Sequence, residues 1–257
     1  MQSVGENQYI VDLGARPQNR RNMIKGAAVG LAAGMFGGSP LARAQDSLNP
    51  GNLRVARSAF DQAHELKPLT FDPSKLNGLS ARMINSHWSN NYGGSIRALN
   101  ETNRRLAAAL DDPKFPPFVY NDLKREHLMR TGSVVLHELY FENLGGDGQP
   151  GADVRALIGS GFGEFERWES EYRRIAAGLG GGAGWVVLGY NRHFQALENY
   201  WMADHMHSPA ATVPLLVMDM YEHSYHMDYG AATAPYVEAF FANINWDSVM
   251  ARIEAIR

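Results

Sequence analysis

With 257 residues, 45% of them hydrophobic, the chain carries enough apolar material for a sizeable core in one domain or two packed lobes. Its formal net charge of −3 leaves no basic footprint for nucleic acid, and the absence of cysteine excludes disulfides, thiolate metal sites and iron–sulfur clusters. Stability must therefore come from packing and assembly.

The N-terminal segment reads as a targeting signal. Arg20 and Arg21 precede an uncharged run from Gly26 to Gly38, about a dozen residues and too short to span a bilayer. Ala42-Arg43-Ala44 then supplies a small-x-small cleavage pattern. This order resembles a twin-arginine export signal over residues 1–44, so the twin-arginine export machinery is an expected partner and the periplasm the expected location. The alternative is an amphipathic arm that stays attached. Residues 45–65 read as a leader, with a short helix over Arg57 to Leu66, and LKPLTFDPSKL as an extended, proline-punctuated stretch.

From Ser80, a plausible N-cap, apolar residues recur at three-to-four spacing as far as Leu110, interrupted at Gly93-Gly94. Pro113, Pro116 and Pro117 end this arm, and a second helix is expected from about Val119 to Leu144, closed by the turn-rich GGDGQPG. Asp153 to Ala177 reads as a further helical region. Glycines 180, 181, 182 and 184 introduce the strand candidate WVVLGY, followed by FQALENYW and then VPLLVMDM. Tyr236 to Asn243 and Trp246 to Ile256 read as closing helices. The pattern predicts an α+β chain with no transmembrane helix. An N-terminal antiparallel helical hairpin (residues 66–148) precedes a C-terminal α/β lobe (149–257) with a small antiparallel sheet of about three strands.

The stretch PLLVMDMYEH sets Asp219 and His223 four residues apart behind an apolar run, where a carboxylate is costly unless paired or bound to a cation. His87 and His137 lie on the two hairpin helices. Three imidazoles and one carboxylate suit a first-row transition metal and leave room for a solvent molecule. A structural Asp–His ion pair is the alternative. His64, His127 and His193 read as ordinary core or surface residues.

From LKPLTFDP to NINWDSV, nearly the whole chain after the signal resembles the iron/manganese superoxide dismutases. The matching blocks run in the family's order: LKPLTFDPSKL, the first helix with His87 and Ala98 to Asn100, the second with His137, FGEFERWESE, GGAGWVVL, PLLVMDMYEH and PYVEAFFANINWDSV. The resemblance implies that His87, His137, Asp219 and His223 are the metal ligands, two from each lobe, for one Fe or Mn ion per subunit, iron ahead of manganese. It implies disproportionation of superoxide to dioxygen and hydrogen peroxide by an ion cycling between trivalent and divalent states, with Asp219 accepting a hydrogen bond from bound solvent. Glu222 with His223 resembles the double bridge between subunits, so a homodimer is expected, with a tetramer as the alternative.

The surroundings depart from the family pattern. Asn91 stands where a histidine is usual, Ser95 where a tyrosine lines the substrate channel, and His226 where a tyrosine reaches the neighbouring subunit's channel. Phe141 and Tyr221 replace tryptophans, as does Val187, while Trp185 is retained. Ser95 and His226 are the candidates for a rebuilt proton relay. Ser133 occupies the helix position from which iron members extend a glutamine, and reads as too small to reach far. In the loop Ala203-Asp204-His205-Met206-His207, His205 is the candidate for a hydrogen bond to bound solvent, against a plain surface-loop histidine. The altered gate leaves open an exported metal-binding protein with little or no turnover, and a peroxidase-like redox enzyme.

Overall fold

The computed structural model describes residue 60 and residues 63–256; the expected signal and most of the leader lie outside the described residues. The short helix expected over Arg57 to Leu66 falls largely outside them too, and residues 63–66 are not helical.

Ser80 caps the first helix, α1 (Ala81–Ser86), by accepting the Met83 N–H at its hydroxyl oxygen, 3.1 Å. The helical path then widens into a π-helical segment, His87–Tyr92, before resuming as α2 (Gly93–Leu110). The interruption expected at Gly93-Gly94 thus lies one turn earlier, and the glycines open the next helix. Pro117 begins α3 (Pro117–Glu142) at the position where a missing N–H costs nothing. The α2 and α3 helices pack along each other, burying Ile96 and Leu99 against Val134, Leu136 and Tyr140.

The single helical region expected over Asp153 to Ala177 is two helices, α4 (Ala152–Phe162) and α5 (Phe165–Gly178). Gly163 takes φ +89° between them, a left-handed conformation that glycine adopts without steric cost, and Glu164 is extended. Three antiparallel strands follow in the order β2-β1-β3: β1 (Trp185–Asn191), β2 (Ala196–Met202) and β3 (Thr212–Asp219). The central strand is apolar throughout its first half because both faces are covered: Trp185 to Leu188 are fully buried. Its register sets Trp185 opposite Asp219, so the strand ends that carry the site lie side by side. The short α6 (His226–Tyr229) leads to α7 (Thr233–Phe241) and α8 (Trp246–Ala255). Among the described residues no helix is long and apolar enough to cross a membrane.

Asn143, fully buried at the end of α3, ties the helical hairpin to the sheet lobe. Its amide donates to the Val217 carbonyl at 3.0 Å, its side-chain oxygen accepts from Arg252 at 2.6 Å, and its backbone oxygen accepts from Asn245 N–H at 2.7 Å. Arg252 also donates to the Leu215 carbonyl and to Glu142. Asn143→Ala strands the Val217 carbonyl and one guanidinium donor in a dry place, so a loss of about 2 to 4 kcal/mol is expected. Urea unfolding would measure it, and a midpoint equal to that of the parent would show that this knot contributes nothing.

Candidate metal centre

The π-helical segment presents His87, α3 presents His137 near its C-terminal end, and β3 ends on Asp219. A 3-10 turn over Glu222–Ser224 then returns His223 toward the strand end. One donor atom from each of these four residues lies within 4.8 Å of every other. Asp219 Oδ2 is 3.2 Å from His87 Nε2, 3.2 Å from His223 Nε2 and 3.7 Å from His137 Nε2. His87, His137 and Asp219 are buried and His223 is partly exposed.

Hydrogen bonds aim the donors inward. His137 Nδ1 lies 2.7 Å from the Ser133 carbonyl, which can only accept, so Nδ1 carries the proton and Nε2 presents its lone pair to the cluster. Asp219 Oδ1 accepts the Tyr221 N–H at 2.9 Å, leaving Oδ2 to face the imidazoles. The Asp219 backbone oxygen accepts from Ser224 Oγ at 3.0 Å and Tyr236 Oη at 2.5 Å, which anchors the turn.

The donors fit a cation better than they fit one another. Both ring nitrogens of His87 and Nε2 of His137 are buried with no hydrogen-bond partner among the described residues. Orphaned polar atoms in a dry site are costly, and a divalent or trivalent first-row ion satisfies Nε2 of His87 and of His137 together, leaving His87 Nδ1 to carry the proton. Burial pushes the Asp219 carboxyl up, but His223 and then His87 outweigh it and hold the group well below the usual carboxylate range. Burial lowers the His87 imidazole against the pull of Asp219. It takes His137 down to about 3, with neighbouring His87 adding to the effect. At neutral pH His87 and His137 are thus neutral imidazoles and Asp219 an ionised carboxylate, the forms that bind metal.

The remaining site residues separate into near and far. His205 comes in: its ring stacks on Tyr221 with centroids 4.8 Å apart and lies 5.8 Å from His137. Trp185 Nε1–H donates to His205 Nδ1 at 3.0 Å, so in the neutral ring the proton sits on Nε2. Burial lowers this imidazole as well. Ser95 is buried, its hydroxyl 2.7 Å from that of Ser133, whose oxygen lies 3.2 Å from His137 Nδ1. Ser133, expected to be out of reach, therefore links Ser95 to His137, because one helical turn separates it from that histidine. His226 and Glu222 are exposed, and His226 has no contact with the cluster among the described residues.

Two neighbours escaped the sequence reading. Tyr92 lies over His137 with centroids 6.4 Å apart, its hydroxyl donating to Glu138 at 3.0 Å and accepting from Lys67 N–H. Burial raises its phenol to about 12. An α-helical reading gives the face of His87 to residue 91, whereas the wider π turn brings residue 92 inward. Phe141 packs on His87 at 5.0 Å and is buried. Gly132, the second, comes so close to the His205 carbonyl that a β-carbon there would overlap it.

The shifts also set how stability of the metal-free protein varies with pH. His87 and His137 protonate less readily folded than unfolded, so the unfolded chain binds more protons below the ordinary histidine value of about 6.5. Asp219, depressed in the folded state, acts in the same direction below about 3.9. Stability from these groups is complete above about pH 7 and falls on acidification, by up to about 1.4 kcal/mol per pH unit for each histidine. Urea unfolding of chelator-treated protein should give a lower midpoint at about pH 5 than at about pH 7.5; the reverse order would contradict these assignments.

Comparison with known proteins bears on the same residues. Residues 150–252 match the family described as iron/manganese superoxide dismutases, C-terminal domain. The chain is 47% identical over 192 residues to superoxide dismutase [Fe] of Cupriavidus metallidurans, covering 75% of this chain and 97% of that protein. It is 34% identical over 203 residues to superoxide dismutase [Fe] of Aquifex pyrophilus, covering 74% and 92%. With superoxide dismutase [Mn] of Mycolicibacterium fortuitum it shares 29% identity over 197 residues, covering 75% and 93%.

Proposed function

The chain belongs to the iron/manganese superoxide dismutase family, and we infer from that premise that it disproportionates superoxide at an ion held by His87, His137, Asp219 and His223. The observation that carries this reading is the convergence of four donors from both lobes, with buried imidazole nitrogens that no other group among the described residues satisfies. Iron or manganese, when bound, supplies one-electron exchange, so that two superoxide anions and two protons become dioxygen and hydrogen peroxide.

The chain's own groups supply the rest. Ser133 and Tyr221 orient His137 and Asp219, and the apolar shell of Phe141, Tyr140 and Trp185 excludes bulk water. His205, its tautomer set by Trp185, directs an Nε2–H donor that suits a water or small anion beside the ligands. The Ser95–Ser133 hydroxyl pair is a second route for a proton toward the cluster. The relatives named for iron share more identity with the chain than those named for manganese, which supports iron ahead of manganese.

Purified protein should contain iron or manganese and consume superoxide. Asp219→Ala should lower metal content by more than the roughly 10- to 100-fold that outer-shell losses cost. Unchanged occupancy would remove Asp219 from the ligand set. Bound metal without superoxide consumption would leave a metal-binding protein that has lost turnover.

Assembly and location belong to the same proposal. Glu222, His226 and Met227 are exposed beside His223, a face suited to a second copy in which Glu222 bridges to the partner's ligand turn. Arg20 and Arg21 support export by the twin-arginine route to the periplasm. Fractionated cells should hold the protein in the periplasm as a species of twice the chain mass or more. Replacing both arginines with lysine should retain it in the cytoplasm, and an unchanged distribution would sink the export reading.

A further inference from the structure

Gly132 sits inside α3, one turn and a residue before His137, where a helix interior disfavours glycine relative to alanine. A β-carbon built there would stand 1.9 Å from the His205 carbonyl oxygen and 2.9 Å from its carbonyl carbon. Those are backbone atoms, so no side-chain rotation relieves the overlap; the His205 loop itself would have to retreat. The His205 imidazole for its part accepts the Trp185 indole N–H and stacks on the ring of Tyr221. Helix, strand and turn thus all contact His205, and the helix contact works only without a side chain.

We propose that Gly132 is a positioning residue: its bare backbone seats the His205 loop against α3 and thereby sets where the His205 Nε2–H donor stands relative to the ligand cluster. Gly132 touches none of the four donor residues through a side chain, so its influence on the reaction runs through His205. The proposal rests on the reading of His205 as the outer donor, and its test must separate the two.

The measurement is the equilibrium affinity of the metal-loaded protein for azide, a small anion with the charge of superoxide, together with metal content and thermal unfolding. Gly132→Ala should retain its metal and bind azide about tenfold more weakly, at the low end of outer-shell effects. In a His205→Ala background the same substitution should add nothing. Azide affinity unchanged by Gly132→Ala but weakened by His205→Ala would overturn the positioning role and leave the His205 reading intact. If neither variant altered azide affinity, the His205 reading would fall and the proposal with it. An equal loss from Gly132→Ala with and without His205 would also overturn it. Should Gly132→Ala not fold, Trp185→Phe frees the same imidazole from the strand side and must weaken azide likewise; unchanged affinity there counts against the proposal.

Discussion

Everything around the centre answers to one electrostatic constraint: a fully buried carboxylate, Asp219, surrounded by imidazoles whose lone pairs face inward. No single element satisfies it. The carboxylate comes from a strand end, two histidines come from the helical hairpin, and the third comes from the turn after the strand. Separating the lobes would leave Asp219 with His223 but without His87, the second imidazole that holds it ionised, and would split the four donors two and two. Metal binding and lobe docking are therefore one event energetically, and knots such as Asn143 with Val217 and Arg252 hold the register that event needs.

The backbone departs from ideal geometry where that constraint is met. The first helix widens at His87–Tyr92, turning His87 inward while admitting Tyr92 beside His137. The turn after β3 is held by two bonds to a single carbonyl, that of Asp219, from Ser224 and Tyr236. Rigid placement of this kind suits a site whose chemistry depends on small displacements of an ion's surroundings.

The altered aromatic and polar shell closes around the ligands, and a pocket of about 220 Å³ lies against Phe141, Tyr92 and Trp88. Phe141 meets His87, Tyr92 and Tyr140, while Tyr221 stacks on His205 and His223. Ser95 turns its hydroxyl to Ser133 in the interior. Two partly exposed polar rings stand beside the ligands, Tyr221 at 5.3 Å from His223 and His205 at 5.8 Å from His137.

By itself the amino-acid sequence determined the chemical inventory. Apolar periodicity declared helices before strands, the lack of cysteine excluded thiolate donors, and the spacing of Asp219 and His223 behind an apolar run marked a carboxylate that needed a partner. These are local signals, carried by neighbours a few positions apart. Tertiary structure alone decided the sheet order β2-β1-β3, the break at Gly163, the inward turn of Tyr92 and the contact between Ser133 and Ser95. It also left His226 on the surface while drawing in His205. The reason is physical: which histidine meets which carboxylate depends on how two lobes, distant along the chain, bury their apolar faces together, and no window of sequence contains that packing.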